Sequence, residues 1–353
     1  MDAFARDLIA WFKTNGRHDL PWQRDATPYS VWVSEIMLQQ TRVTTVVPYF
    51  LRFMARFPAV DALAKARLDE VLTLWSGLGY YARARNLHRA ARTVVEEFDG
   101  RLPESLDALL TLPGIGRSTA GAILALARGQ RFAILDGNVK RVLARYHAVA
   151  GWAGKAEVKR RLWELAEAHT PTRRVADYTQ AIMDLGATVC LRRQPICAAC
   201  PLGGGCAARL AGTQDRLPAP RPSRERRRRS VRVLLVRDDG RRVLLERRPA
   251  SGIWGGLFSF PELGVEEEPD QWCDLNLGVP LSRSFPLAAL EHSFTHFDLR
   301  LDPLVIDLAQ PPRRLMERDD WLWYNPAEEL DVGVAAPIAT LLASLADTQE
   351  CYG

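Results

Sequence analysis

A mostly α-helical N-terminal domain followed by a smaller α+β domain is the fold class this sequence predicts, on three observations. Up to about residue 189, apolar residues recur at helical spacing. Beyond about residue 230 the pattern changes to alternation broken by Asp and Gly. Between the two lie four clustered cysteines and a proline- and arginine-rich stretch with no apolar period. At 353 residues the chain has room for two or three domains and a sizeable core. Apolar residues make up 47% and charged residues 25%, the balance of a globular protein. No apolar run approaches the ~20 residues of a membrane-spanning helix, so an integral helical membrane protein is excluded and no membrane partner is expected. The start, Met1-Asp2-Ala3-Phe4-Ala5-Arg6-Asp7, lacks the basic-then-apolar pattern of a signal peptide, and a cytoplasmic protein is expected.

In chain order, helical spacing covers Asp2 to Lys13, Val31 to Gln40, Leu68 to Trp75, Tyr81 to Phe98, Ser118 to Arg128, Val139 to Val149 and Glu157 to Ala168. Breaks fall at Leu20-Pro21, Phe57-Pro58, Gly77-Leu78-Gly79, Pro113-Gly114 and Asp136-Gly137. Residues 213–230 hold three prolines and the run Arg226-Arg227-Arg228-Arg229 and read as a linker. Val231 to Val236, the turn Asp238-Asp239-Gly240 and Val243 to Leu245 read as a β-hairpin. Phe294 to Ile306 is a second strand-rich stretch, and Pro337 to Ala346 reads as a closing helix. The expected domains are therefore 1–212 and 231–353, and a truncation near Gln214 is expected to leave the first folded.

Charge is distributed unevenly. Residues 1–212 carry 29 Lys+Arg against 19 Asp+Glu, residues 213–229 carry 7 against 2, and residues 230–353 carry 11 against 21. The basic front half points to a polyanionic partner, although a solvated arginine-rich surface gives the same count.

Four features carry candidate chemistry. Leu112-Pro113-Gly114-Ile115-Gly116-Arg117-Ser118, within about 106–128, reads as a turn between two helices. Gly114 and Gly116 there let main-chain N–H groups approach an anion at a helix N-terminus, as a helix-hairpin-helix grips a DNA phosphate. Asp136 opens the next helix; alone it reads as a cap, and beside a gripped backbone it reads as a carboxylate able to stabilise a cationic sugar. Glu35 shares a helix face with Val31, Trp32 and Leu38. A carboxyl group in apolar surroundings serves as a general acid near neutral pH, unless Ser34 or Gln39 satisfies it. The spacing Cys190-x6-Cys197-x2-Cys200-x5-Cys206 points to a metal site. The wide first gap fits paired zinc ligands poorly, and spacing alone leaves iron–sulfur and zinc both open.

Together these motifs resemble the endonuclease III superfamily of DNA glycosylases. Within it, the run Val31 to Thr41, the run Gly77 to Arg85 and Gly252-Ile253-Trp254-Gly255-Gly256-Leu257 resemble MutY-type adenine DNA glycosylases, from about Phe4 to the mid-340s. The resemblance implies excision of adenine mispaired with 8-oxoguanine or guanine in double-stranded DNA, during base-excision repair. It implies Glu35 as the acid that protonates adenine N7, Asp136 as the carboxylate facing the oxocarbenium-like sugar, and Asn138 as its hydrogen-bonding support. Gln40, Thr41, Leu78, Tyr80, Gly114, Gly116 and Ser118 would meet DNA, and Trp22 and Gln180 would line the adenine pocket. One 4Fe-4S cluster on Cys190, Cys197, Cys200 and Cys206 is implied, as is a monomer working on the nucleoid. Ser118 stands where strand-cleaving relatives carry a Schiff-base lysine, so little or no lyase activity is implied. The second domain resembles MutT (Nudix) domains, but Glu266-Glu267-Glu268-Pro269 lacks their magnesium-binding glutamate pattern. Phe294, Thr295 and His296 match the family's 8-oxoguanine contacts, with threonine in place of serine. An oxidised-pyrimidine glycosylase, an inert DNA-binding scaffold and a nucleotide hydrolase are the competing readings.

Overall fold

The computed structural model describes residues 1–222, 226–238, 242–264, 266–294, 297–312, 318, 320–328 and 332–350. It divides into two compact units, Met1–Lys65 with Asn86–Ser223 and Ala66–Arg85 with Arg224–Gly353.

The first unit holds α1 (Ala3–Asn15), α2 (Pro21–Arg24), α3 (Pro28–Leu38), α4 (Val43–Arg56) and α5 (Val60–Lys65). After the excursion 66–85, which contains α6 (Leu68–Trp75), it resumes within α7 (Ala82–Glu97). There follow α8 (Leu106–Thr111), α9 (Arg117–Arg128), α10 (Gly137–Tyr146), α11 (Ala156–His169), α12 (Val175–Thr188) and α13 (Ala207–Leu210). Caps start several of these where the sequence supplies a short polar side chain: Asp2 accepts from the Ala5 N–H, Thr27 from Ser30 and Asp136 from Val139. α12 is the central helix, packed on α1, α9 and α10. Its Ala181, Ile182 and Leu185 share one core with Phe4, Leu8, Val139 and Leu143. α4 forms despite Pro48 in its interior, because Val46, Phe50 and Phe53 bury one face. That burial outweighs one missing main-chain hydrogen bond.

The second unit is built on a mixed sheet with strands β1 (Arg227–Arg237), β2 (Val243–Arg247), β3 (Phe258–Ser259), β4 (Glu262–Leu263), β5 (Leu281–Pro286), β6 (Leu290–Ser293), β7 (Phe297–Leu308) and β8 (Trp321–Tyr324). The order is β3-β2-β1-β7-β5, with β4 on β1, β6 on β7 and β8 on β2. β1 and β7 run parallel along their lengths, Val231 opposite Leu301 and Leu235 opposite Val305. Besides α6, this unit contains the helices α14 (Pro269–Leu277) and α15 (Ala336–Glu350). Leu234, Val236, Leu244, Cys273, Leu277 and Ile306 form its core. α14 contains no glutamate, so it does not carry a magnesium-binding glutamate face.

Two expected boundaries move. β1 begins at Arg227, so Arg227–Ser230 are strand and not linker: their main chains pair with Phe297–Arg300 while their side chains stay exposed. Residues 66–85 group with the C-terminal unit and not with the other helices. Ser76 Oγ and Tyr81 OH each donate to the Val334 carbonyl at 3.1 Å. Arg247 Nη2 meets Asp69 Oδ2 at 3.0 Å, and Arg85 donates to the Gly255 carbonyl. A Cβ at Gly333 would lie 3.0 Å from Leu72 Cβ, so glycine permits this close packing. A truncation near Gln214 would strip these partners from α6 and the loop behind it, against the expectation of an intact helical fragment.

Candidate active site

The first unit contains a cavity of about 790 Å³. Its walls include Trp22, Glu35, Gln40, Thr41, Ser118, Asp136, Asn138 and Gln180. Eight residues singled out from sequence, spread over 158 positions, thus meet at one hole (positions 22 to 180).

Glu35 sits on α3, whose Val31, Trp32, Ile36 and Met37 are buried in the core. Its carboxyl group has no hydrogen-bond partner among the described residues: Ser34 Oγ donates instead to the Val31 carbonyl at 2.8 Å, and Gln39 Nε2 reaches Thr119 Oγ1 at 3.5 Å. The Glu35 pKa is pushed up to about 8, chiefly by burial and secondarily by the Asp136 carboxylate. Burial also raises Asp136, but there the Val139 N–H, Arg141, Lys140 and the Asn138 N–H all pull in the opposite direction. Asp136 is the N-cap of α10, Oδ1 accepting from Val139 N at 2.7 Å. The capping role and the cavity position are both realised. Both carboxyls are raised by burial, but only Asp136 has cationic and N–H support, which favours its ionised form relative to that of Glu35.

Ser118 Oγ accepts from the Leu135 N–H at 2.9 Å, which fastens the loop leading into Asp136 to the first turn of α9. Asn138 differs from expectation. Its side-chain oxygen accepts from Arg141 Nη2 at 2.8 Å, and it is its main-chain N–H that bears on Asp136. A Cβ at Gly186 would lie 2.5 Å from Asn138 Cβ, so glycine is what lets α12 come this close to α10. Trp22 is buried and meets Phe50 edge-on at 5.3 Å.

In the hairpin, Gly114 has φ +83°, and a Cβ there would lie 2.8 Å from Asn86 Cβ. Gly116 caps α9 with no side chain, and a Cβ there would meet only open space. The N-terminus of α9 therefore has no side-chain cap, as an anion site requires. Gln40 has φ +59° and Tyr80 φ +51°, a left-handed backbone that costs a non-glycine residue of order 1–3 kcal/mol. Tyr80 is 49% exposed, whereas Leu78 is 5% exposed and has no free side-chain face for DNA. Leu78 and Tyr80 belong to the second unit, as does Phe294, which stacks on Phe297 at 4.5 Å and meets His292 edge-on at 4.7 Å. Thr295 and His296 lie outside the described residues.

Cys190, Cys197, Cys200 and Cys206 are free thiols that line one small cavity of about 30 Å³. Burial and the other three cysteines push Cys200 up to about 11. Among the described residues, no three His, Cys, Asp or Glu side chains converge as a ligand set for one ion. Arg145, 3% exposed, donates to Cys190 Sγ at 3.2 Å and to the carbonyls of Leu191, Arg192 and Leu217. Sequence reasoning missed Arg145, and it missed Arg17 at the cavity and its partner Asp184; their signals are long-range pairings with no local motif.

Helix-hairpin-helix, paired carboxylates and cysteine loop together define a base-excision DNA glycosylase. Residues 33–168 match the model of the HhH-GPD superfamily of base excision DNA repair proteins, and residues 232–344 match the NUDIX domain. The chain is 35% identical over 339 residues to an adenine DNA glycosylase of Buchnera aphidicola subsp. Schizaphis graminum, covering 96% of this chain and 97% of that one. It is 36% identical over 361 residues to the human adenine DNA glycosylase, covering 84% of this chain and 65% of the human protein. A solved thermostable thymine-DNA glycosylase aligns with a TM-score of 0.53 and 28% identity over 59% of this chain and 95% of its own. The chain belongs to the adenine DNA glycosylase family.

Proposed function

We propose that this enzyme hydrolyses the N-glycosidic bond of adenine mispaired with 8-oxoguanine, or with guanine, in double-stranded DNA. The observation that carries the reading is the carboxyl pair on one cavity, with Glu35 pushed up to about 8 and Asp136 alone supported by cations and N–H groups. The target nucleotide leaves the stack, with Tyr80 and Gln40 wedging and the α9 N-terminus holding a phosphate. Protonated Glu35 gives its proton to adenine N7, the C–N bond breaks with its electron pair going to the base, and the ionised Asp136 stabilises the cationic sugar. Water then adds at the sugar carbon and loses its proton, leaving an abasic site. Ser118 has no amine to attack the sugar, and its hydroxyl already accepts from Leu135, which supports a glycosylase with little or no lyase activity.

The four thiols around one cavity suit a polynuclear cluster better than a single ion. Cys190, Cys197, Cys200 and Cys206 would hold one 4Fe-4S cluster, a redox-capable and rigidifying group, with Arg145 hydrogen-bonded to one thiolate. Residues 231–353 would recognise 8-oxoguanine through Phe294, Thr295 and His296. The enzyme would work as a cytoplasmic monomer; no helix among the described residues is long and apolar enough to cross a membrane.

The test is single-turnover release of adenine from A:8-oxoguanine and A:G duplexes, with alkali revealing abasic sites. Alkali-dependent cleavage opposite 8-oxoguanine is expected. Cleavage only at oxidised pyrimidines, binding without release, or hydrolysis of free oxidised triphosphates alone would overturn the reading.

A further inference from the structure

Asp184 on α12 is 0% exposed, yet the cavity chemistry proposed above makes no use of it. Its Oδ2 accepts from the Arg17 main-chain N–H at 2.7 Å, and its Oδ1 accepts from Arg17 Nε at 2.9 Å and from the Arg17 Nη2 at 2.5 Å. Oδ1 also accepts from Gln180 Nε2 at 2.8 Å, one helical turn earlier. Arg17 and Gln180 both line the cavity; Asp184 stands behind them.

The Gln180 contact has a consequence for what the cavity can read. An amide can turn end for end, but only its NH₂ can face a carboxylate, because the other orientation sets two acceptors against each other. The negative charge of Asp184 therefore fixes which end of Gln180 points away from it. The end left over is the carbonyl oxygen Oε1, which accepts no hydrogen bond among the described residues, on a residue only 7% exposed. Oε1 and the Glu35 carboxyl line the same cavity, one an acceptor and the other the proposed acid, so a single base can meet both. That pair complements a base edge that offers an amine next to a ring nitrogen, as adenine does with N6 and N7. Guanine and hypoxanthine place a carbonyl where adenine has its amine, so the fixed acceptor would meet another acceptor.

We propose that Asp184 is a positioning residue for base selectivity: by holding the Gln180 amide in one orientation, with Arg17 as its counter-charge, it makes the cavity wall an acceptor that admits an exocyclic amine and rejects a carbonyl. This rests on the adenine-release reading. Left without a partner, a buried acceptor facing a carbonyl discriminates by about tenfold or more.

The experiment measures single-turnover excision of adenine and of hypoxanthine placed at the same position opposite 8-oxoguanine. Wild-type enzyme is expected to release adenine at least about tenfold faster than hypoxanthine. Asp184→Leu removes the acceptor; the double variant Arg17→Met/Asp184→Leu removes both members of the ion pair, so that no buried charge is left unpaired and folding is retained. In either variant the adenine-to-hypoxanthine ratio is expected to fall towards one, more than the adenine rate itself falls. Gln180→Ala is expected to lose the same ratio, with no further loss when combined with Asp184→Leu. A role in fastening the helix alone would lower both rates together and leave the ratio intact, and that result overturns the proposal. So does wild-type enzyme that releases both bases equally fast. Wild-type enzyme that releases neither base overturns the adenine-release reading instead.

Discussion

The carboxylate cavity and the cysteine loop lie in the same unit and are both built from buried charged groups, but they treat those groups in opposite ways. Around the cysteines, the Arg145 guanidinium commits four of its five N–H groups to three carbonyls and a sulfur, and Arg141 Nε donates to the Cys190 carbonyl at 2.7 Å. In the cavity, Glu35 has no partner among the described residues, one oxygen of Asp136 is committed to Val139 and the Gln180 carbonyl is free. A saturated buried charge holds a structure together; an unsaturated one is a cost that folding carries and that a bound substrate relieves. The loop is organised for stability and the cavity for chemistry.

The largest expected effect breaks or confirms the cavity half of this contrast. Glu35→Gln and Asp136→Asn are each expected to slow adenine release by about 100- to 10,000-fold while leaving duplex affinity nearly unchanged. Single-turnover kinetics beside a binding titration read both quantities. Wild-type rates in either variant would remove that residue from the chemistry.

Arg145→Met tests the other half. It leaves the carbonyls of Leu191, Arg192 and Leu217 without their donor, and a loss of about 3–5 kcal/mol in unfolding free energy is expected. Thermal or denaturant unfolding measures it. Unchanged stability would mean the loop does not depend on this saturation.

Next comes pH, which tests the cavity half again. The Glu35 pKa rises from 4.5 to about 8 on folding, so the folded chain binds the extra proton between those values. Its contribution to stability is complete below about 4.5 and is lost as pH rises through about 8. Glu35→Gln is therefore expected to be more stable than wild type at pH 8.5, by about 2 kcal/mol, with the gap closing towards pH 5. Unfolding curves at the two pH values check this. The same proton sets the rate: adenine release by the wild type should decline as pH passes about 8. A melting difference that does not vary with pH would show that Glu35 is not held protonated.

The smallest effect concerns the hairpin. Gly114→Ala places a Cβ 2.8 Å from Asn86 Cβ at φ +83° and is expected to cost about 1–2 kcal/mol of stability. It should also weaken duplex binding several-fold, whatever base is mispaired, because phosphate contacts carry no sequence information. Gly116→Ala, with only open space at its Cβ, should change stability little, and a fluorescence titration against duplex DNA compares the two variants.

Much of this was legible in the residues alone. The order of a helical part and a later strand-rich part follows from apolar periodicity, which is local and survives without coordinates. Glu35, Asp136, the hairpin glycines and the four cysteines sit in short motifs whose chemistry depends on near neighbours in the chain. Other features left no local trace. α4 was hidden by the β-branched run Val43 to Val47 and by Pro48, which argue against a helix until Phe50 and Phe53 find a core. That Asn138 turns its side chain to Arg141 depends on a glycine 48 positions away, Gly186.

What the sequence determined by itself is the class of each element and the identity of the groups that do the chemistry, because periodicity, capping and motif spacing act over a few residues. What only the tertiary structure decided is which groups meet and in what state. Asp184 finds Arg17 across 167 residues, Glu35 loses its partners and keeps its proton, and residues 66–85 join strands that follow them by more than 140 positions. Burial, charge pairing and close approach are properties of the space between segments, and no stretch of chain carries them alone.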